Sequence, residues 1–162
     1  MKKGILVVAK KRIYVDTSVI GGCFDPEFSK WSILMMDAFK SENIILVISD
    51  LTIKELEYSP VEVRKLLDEI LESSVRKVFL TEEAEYLAGR YIMNDVVSPG
   101  CIVDAQHIAV ATVENVDLLV SWNFKHIVNV DRIRGYNSVN LRHGYRILEI
   151  RSPREVIHEK EI

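Results

Sequence analysis

The feature that most constrains this sequence is the segment 102–123, in which an almost entirely apolar helix is followed directly by a short strand. Residues 102–113 read IVDAQHIAVATV, which is typical of a helix buried on most of its circumference. Residues 117–122 read DLLVSW, an aliphatic run that predicts a strand in the core of a sheet. Asp104 and His107 lie inside the helix and need a reason to be there, because burying a charge without a partner is costly.

Strands and helices alternate along the rest of the chain. Aliphatic and β-branched runs predict further strands at 11–15, 44–48, 75–80 and 146–150, and apolar periodicity predicts helices at 29–40, 51–58, 61–73, 81–97 and from about 152. The polar stretch 131–145 is interpreted as a solvated loop. This alternation predicts an α/β fold with three layers, in which a central parallel sheet of four or five strands carries helices on both faces. We expect one domain over 1–162, with its core at about 12–150 and a short helix or tail at 151–162.

Composition restricts the classes of function. Hydrophobic residues make up 48% and charged residues 28% of the chain, as in an ordinary soluble protein. No apolar run approaches the roughly 20 residues of a membrane span, and residues 1–10 lack the length and cleavage site of a signal peptide. We therefore expect a cytoplasmic protein that makes no membrane contact. Cys23 and Cys101 are far apart and form no Cys/His metal spacing, so both are expected to be reduced thiols.

The net charge of −3 argues against a broad nucleic-acid footprint, but the charge is unevenly distributed. Residues 1–120 carry 13 Lys and Arg against 19 Asp and Glu, whereas residues 121–162 carry 8 against 5. An acidic body with a basic C-terminal third can hold metal ions in one place and phosphates in another.

Three acids occupy comparable places in the predicted layout. Asp16 ends the first strand, Glu55 lies in the helix after the second strand, and Asp104 is near the start of the buried helix. Taken alone, Asp16 is explained as a helix N-cap and Glu55 as a solvated helix residue. In a doubly wound sheet, however, these places converge at the carboxyl edge, where clustered carboxylates repel unless a cation lies among them. Oxygen ligands favour Mg²⁺ or Mn²⁺, and such a site suits hydrolysis of phosphodiester bonds.

Four motifs carry a resemblance to a known family. They are YVDTS at 14–18, KEL at 54–56, VDAQHIA at 103–109 and LVSWN at 119–123. In order and spacing they look like the motifs of the PIN-domain ribonucleases, and the chain most resembles the VapC-like toxins of prokaryotic toxin–antitoxin pairs over roughly residues 12–130. The resemblance implies a parallel sheet flanked by helices, cleavage of RNA with Mg²⁺ or Mn²⁺, a homodimer, and inhibition by a small antitoxin protein.

The resemblance also implies roles for individual residues. The metal-binding acids would be Asp16, Glu55 and Asp104, and the supporting hydroxyls Ser18 and Ser121. The sequence departs from the family pattern at Asn123, where many members carry a fourth acid. An amide keeps an oxygen that can bind a metal or orient water but loses the charge, so either one metal or two remains open.

Other interpretations stay open at this stage. With Asn123 in place, the chain can be a catalytically weakened or inactive PIN-like protein that binds RNA or acts as a scaffold. A nucleotide-binding domain is disfavoured because the sequence has neither G-x-G-x-x-G nor G-x-x-x-x-G-K-[ST], and a receiver domain would need paired acids after its first strand. His107 is interpreted as a histidine of the core, or of the crevice at the carboxyl edge of the sheet, that is hydrogen-bonded to its surroundings. The alternatives are a metal ligand and a general base.

The basic C-terminal part supplies candidate RNA contacts. Phosphates would be contacted by Lys125, Arg132, Arg134 and Arg142, and bases would stack on Tyr136 and Tyr145. The alternative is that these side chains form a solvated loop face.

Overall fold

A five-stranded parallel sheet forms the centre of the structure, a computed structural model that describes residues 10–40, 43–73 and 75–160. Its strands are β1 (Lys11–Val15), β2 (Ile44–Ser49), β3 (Val75–Val78), β4 (Leu118–Val120) and β5 (Ile150–Arg151). They lie in the order β3-β2-β1-β4-β5, and every neighbouring pair is parallel. The predicted α/β fold with four or five parallel strands is therefore confirmed.

Helices cover both faces of the sheet, as predicted. Those in the described residues are α1 (Thr17–Gly22), α2 (Ser29–Ala38), α3 (Asp50–Leu56), α4 (Val61–Glu72), α5 (Glu82–Met93), α6 (Ile102–Val113), α7 (Val130–Arg142) and α8 (Pro153–Lys160). Successive residues of β1 point to opposite faces: Tyr14 packs in the core formed with α5, α6 and α7, whereas Ile13 and Val15 pack in the core formed with α2, α4 and α8. Each face of the sheet thus has its own hydrophobic core.

The buried helix inferred from the sequence is α6. Ala105 and all residues of 107–112 in it are buried, and Asp104 lies in its first turn. The helix ends at a turn in which Asn115 adopts a positive φ of 52°, a conformation that asparagine tolerates better than most residues. The chain then enters β4 beside β1, so the segment 102–123 is built as predicted.

The bounds of several elements differ from the prediction: β4 spans Leu118–Val120 rather than 117–122, α2 ends at Ala38 rather than 40, and α3 ends at Leu56 rather than 58. Helix α5 ends at Met93 rather than near 97, because Asp95 turns the backbone to a φ of 56° and the Asn94 amide donates to the Arg90 carbonyl at 2.7 Å. Strand β3 stops at Val78. Strand β5 is displaced from 146–150 to Ile150–Arg151. Just before β5, the backbone of Leu148 pairs with a side chain rather than with a strand. Its N–H donates to Asn137 Oδ1, and its carbonyl accepts from the Asn137 side-chain amide.

The interpretation of 131–145 as a solvated loop is wrong, because most of it is helix α7. Asn129 caps this helix by accepting the Arg132 N–H at 2.9 Å. Its inward positions are Tyr136, Val139 and Asn140. The Tyr91 hydroxyl donates to the Asn140 side chain at 2.5 Å. Because two of the three inward residues are polar, the periodicity gave no sign of a buried face.

The expectation that the chain lacks a signal peptide concerns mainly residues 1–9, which lie outside the described residues. No helix within the described ranges is long and apolar enough to cross a membrane. Cys23 and Cys101 are both free thiols, as expected.

Two helical glycines provide a first test of the packing. A Cβ at Gly135 in α7 would lie 2.8 Å from Val96 Cγ1, whereas a Cβ at Gly89 in α5 would have nothing within 4 Å. Alanine normally stabilises a helix interior by about 0.5–1 kcal/mol relative to glycine. We expect Gly89→Ala to raise the free energy of unfolding by that amount and Gly135→Ala to lower it, because the short Val96 side chain must shift. Urea unfolding of the two variants measures both values, and equal gains would contradict the close packing of α7 on Val96.

Candidate metal centre

Asp16 is held at the carboxyl end of β1 by hydroxyl and backbone donors. It is the N-cap of α1, where its Oδ1 accepts the Ser18 N–H at 3.1 Å and the Ser18 hydroxyl at 2.5 Å. Its Oδ2 accepts the Ser121 hydroxyl at 2.6 Å. The side chain is only 5% exposed, and burial raises the pKa of Asp16 despite the opposing effects of His107 and the two serines. Asp16 is thus both the predicted helix cap and a buried carboxylate at the sheet edge.

The two serines also connect the ends of neighbouring strands. The Ser18 hydroxyl accepts the Trp122 N–H at 2.8 Å, and the Ser121 hydroxyl accepts the Asn123 N–H at 2.9 Å. Both serines therefore fix the loop after β4 against the loop after β1 and orient Asp16. These contacts agree with the supporting role that the resemblance implies for Ser18 and Ser121.

Glu55 on α3 forms the outer end of a chain of hydrogen bonds that runs into the core. His107 Nε2 donates to Glu55 Oε1 at 2.7 Å, since a carboxylate can only accept. The other ring nitrogen, Nδ1, lies 2.6 Å from the Tyr14 hydroxyl oxygen, and that oxygen lies 2.7 Å from Ser49 Oγ. Glu55 Oε1 also accepts the Thr17 hydroxyl at 3.0 Å. His107 is accordingly a bonded crevice histidine.

These hydrogen bonds favour the ionised form of Glu55. Partial burial acts to raise the pKa of Glu55, but the hydrogen bond and charge of His107, with the Thr17 hydrogen bond, outweigh it. The net effect lowers the pKa, so Glu55 is an ionised carboxylate at neutral pH. Taken alone, Glu55 is interpreted as a solvated helix residue. In the structure it is part of the crevice.

Asp104 lies in the first turn of α6 and is partly buried. Burial raises its pKa and Glu55 adds to the effect, against the charges of His126 and His107 and a side-chain hydrogen bond from Asn123. Asn123 Oδ1 also accepts the backbone N–H of His126 at 2.9 Å. Asn123, which stands in place of the fourth acid, therefore bridges Asp104 and the loop after β4.

The three predicted acids lie near one another without forming a tight cluster, since Glu55 bonds both Thr17, the residue after Asp16, and His107, one helical turn after Asp104. The charge of His107 acts on Asp16, Glu55 and Asp104, and Glu55 acts on Asp104. Among the described residues, however, the donor atoms that lie within 4.8 Å of one another in a group of three belong to Cys101, Asp104 and His126. Sequence reasoning missed Cys101 and His126 as candidate ligands. Their signals are the spacing of Cys101 and Asp104, one helical turn apart, and a histidine just after the strand end.

The crevice fits a hard divalent cation. Its acids supply oxygen donors, which are the ligands that Mg²⁺ and Mn²⁺ prefer. Burial raises the pKa of both Asp16 and Asp104, so a nearby cation would stabilise their ionised forms. An ion held by Asp16 and Asp104, with Glu55 as the further acid, is therefore compatible with the residues present.

The candidate RNA contacts have different environments. Lys125 and Arg134 are exposed, whereas Arg132 donates to the Val96 carbonyl and Arg142 donates to Asn94 Oδ1 at 3.3 Å. Tyr136 is fully buried, so the expectation that it stacks on a base is wrong. The hydroxyl of Tyr145 donates to Glu83 at 2.6 Å. Lys125 and Arg134 are thus the basic side chains of this set that are most available to phosphate.

A groove of about 670 Å³ lies beside the acids. Its lining includes Thr17, Ser18 and Asn123 from the crevice, together with Trp122 and Pro60. The side chains next to Asp16 therefore adjoin a more apolar groove.

The contribution to stability of the hydrogen bond from the Ser121 hydroxyl to Asp16 can be tested directly. We expect Ser121→Ala to lower the free energy of unfolding by about 1–3 kcal/mol, because one buried oxygen of Asp16 loses its hydroxyl donor. Ser138→Ala is the control, since Ser138 is exposed on α7. Urea unfolding at neutral pH measures both, and indistinguishable midpoints would show that Ser121 does not stabilise the carboxylate.

Comparison with known proteins supports the fold. The sequence gives no significant match to a protein-family model or to a curated protein. The structure is similar to that of VapBC2 from Rickettsia felis bound to a promoter DNA fragment, with a TM-score of 0.59 and 17% identity, covering 87% of this chain and 98% of that chain.

Two further structures are similar. VapC20 of Mycobacterium tuberculosis, a toxin that cleaves the sarcin–ricin loop, has a TM-score of 0.55 and 15% identity over 70% of this chain and 91% of that chain. FitAcB from Neisseria gonorrhoeae has a TM-score of 0.55 and 16% identity over 87% of this chain and 97% of that chain. The likeness confirms that this chain has the fold of VapC-like PIN-domain toxins.

Proposed function

We propose that the protein is an endoribonuclease that hydrolyses RNA phosphodiester bonds with Mg²⁺ or Mn²⁺ and acts as the toxin of a toxin–antitoxin pair in the cytoplasm. The observation that carries the proposal is the buried carboxylate of Asp16, which two serine hydroxyls hold at the carboxyl end of β1. Glu55 bonds the adjoining Thr17 and also His107, which lies one helical turn after Asp104. Open α/β sheets bind their ligands at this edge. A fold shared with a toxin that cleaves the sarcin–ricin loop supports the same activity.

Each residue of the crevice has a definite task in this proposal. Asp16, Asp104 and Glu55 would hold the cation, which supplies charge stabilisation and an activated water when bound. Ser18 and Ser121 keep both oxygens of Asp16 in place. No side chain is required to form a covalent bond with the RNA, because water is the nucleophile.

The proposed partners follow from the resemblance and from the neighbouring structures. We propose RNA as the substrate, with Lys125 and Arg134 contacting its phosphates, and Arg132 and Arg142 as weaker candidates because each already donates to the protein. A small antitoxin would block the crevice, and the chain would form a homodimer. The VapBC2 structure, which is bound to promoter DNA, provides the precedent for a toxin–antitoxin assembly.

A second candidate function has the same fold and the same RNA ligand but no catalysis. Its support is Asn123, whose amide bonds Asp104 where many family members carry another acid. Its further support is Glu55, which is already paired with His107. In this case the protein would bind RNA or act as a scaffold.

Calorimetric titration with Mn²⁺, together with cleavage of a structured RNA, tests the proposal. We expect the parent protein to bind Mn²⁺ and to cleave RNA only when Mn²⁺ or Mg²⁺ is present, and the stoichiometry distinguishes one ion from two. Asp16→Asn should lose both properties, and circular dichroism verifies that it is folded. Mn²⁺ binding without cleavage of any RNA would favour the non-catalytic function, and the absence of binding even with RNA present would contradict the metal centre.

A further inference from the structure

One cluster of metal-ligating side chains adjoins the proposed nuclease site, with which it shares Asp104. Cys101 ends the short 3₁₀ turn Pro99–Cys101 before α6, and His126 lies in the loop after β4. The potential ligand atoms of these two residues and of Asp104 all lie within 4.8 Å of one another. The three side chains come from two separate segments that the fold brings together.

The spacing of the cysteine and the histidine matches that of two ligands on one ion. Cys101 Sγ lies 3.5 Å from His126 Nε2. Two ligands at typical zinc–sulfur and zinc–nitrogen distances, at a tetrahedral angle, are about 3.6 Å apart. A separation of 3.5 Å suits a hydrogen bond between a thiol and an imidazole, and it equally suits two ligands of one ion.

The imidazole of His126 lacks the partners that a buried ring normally has. Its Nδ1 is buried and has no hydrogen-bond partner among the described residues, and its Nε2 faces only the sulfur of Cys101 and the nearby Asp104. Buried polar atoms without partners are rare, and an unobserved ion or water is one ordinary reason for them. Nδ1 is not the atom in contact with Cys101, so Nε2 is the candidate ligand atom of the cluster.

The surroundings of the three side chains are those of an organised site. The Ser98 hydroxyl lies 3.5 Å from Cys101 Sγ, within reach of a thiolate. The Asn123 side chain bonds Asp104 and accepts the backbone N–H of His126, so a single residue fixes two of the three ligands. Outer partners of this kind orient metal ligands in proteins.

We infer that Cys101, Asp104 and His126 form a second metal site, which binds Zn²⁺ through a thiolate, a carboxylate and an imidazole. A sulfur and a nitrogen ligand favour Zn²⁺ over Mg²⁺, and three protein ligands leave the fourth tetrahedral position for water. The site joins the start of α6 to the loop after β4. It is distinct in chemistry from the all-oxygen centre, although both use Asp104.

Cobalt spectroscopy tests this site without reference to nuclease activity. Co²⁺ added to the reduced full-length protein should give a thiolate-to-cobalt charge-transfer band and intense tetrahedral visible bands, which one equivalent of Zn²⁺ removes. Co²⁺ at oxygen ligands alone gives neither feature. The charge-transfer band should vanish in Cys101→Ser and persist in Cys23→Ser, which is the matched control because Cys23 is the other free thiol.

Affinity and stability provide an independent measure. Loss of an outer partner already costs about 10–100-fold in metal affinity, so His126→Ala should weaken Zn²⁺ binding by at least about 100-fold. Zn²⁺ should also raise the melting temperature of the parent and of Cys23→Ser but not of Cys101→Ser. No charge-transfer band in the parent, or an unchanged band in Cys101→Ser, would overturn the site. Cys101→Ser and His126→Ala leave Asp16, Glu55 and Asp104 in place, so the two proposals fail separately.

Discussion

Asp104→Asn is expected to abolish metal-dependent cleavage of RNA while leaving the protein folded. The substitution keeps an oxygen at the start of α6 but removes the charge that attracts the cation. A bound metal contributes several kcal/mol to stabilisation of the transition state, and each 1.36 kcal/mol is a factor of about ten in rate. Cleavage should therefore fall by at least about 100-fold, measured as the initial rate on one RNA at saturating Mn²⁺.

Asp117→Asn is the matched control for this prediction, because it changes the net charge by the same amount. Asp117 lies just before β4, and its Oδ2 accepts the Arg12 N–H at 2.8 Å near the start of β1. It is therefore at the edge of the sheet opposite the crevice. Equal losses in Asp104→Asn and Asp117→Asn would indicate a general effect of charge and would contradict the metal centre.

The fold could be predicted from the sequence because its central elements are encoded locally. The apolar segment 102–123 specifies α6 and β4, and the run at β2 is covered on both faces. Asp16 was identified because it is an acid that directly follows a buried strand. These features depend on residues that are adjacent in sequence, which is the range over which periodicity is informative.

The features that the sequence missed depend on contacts between distant residues. Helix α7 was hidden because its inward positions include Tyr136 and Asn140, which are satisfied by partners elsewhere in the chain. The short strand β5 depends on the side chain of Asn137. The contact between Cys101 and His126 spans 25 residues and depends on how α6 and the loop after β4 meet. Spacing rules cannot identify a contact of that kind.

The chain of hydrogen bonds from Ser49 to Glu55 connects the crevice to the core. Its central member, His107, is buried and joins α6 to both β1 and α3. The chain therefore fixes Glu55 relative to Asp104, which lies one helical turn before His107. Stability and the geometry of the crevice consequently depend on the same residue.

His107→Ala is accordingly expected to cause the largest loss of stability among the crevice residues. The change opens a cavity in the core and removes the partner of Glu55, which should lower the free energy of unfolding by about 2–4 kcal/mol. The comparison variant is Tyr14→Phe, which removes one hydroxyl from the same chain but leaves His107 bonded to Glu55 and should cost only about 1 kcal/mol. Urea unfolding measures both values, and the double variant measures their coupling. If the loss in the double variant equals the sum of the two single losses, the hydrogen bond between Tyr14 and His107 contributes nothing to stability. If the two single variants lose the same amount, His107 contributes nothing beyond its bond to Tyr14, which would contradict its support of Glu55.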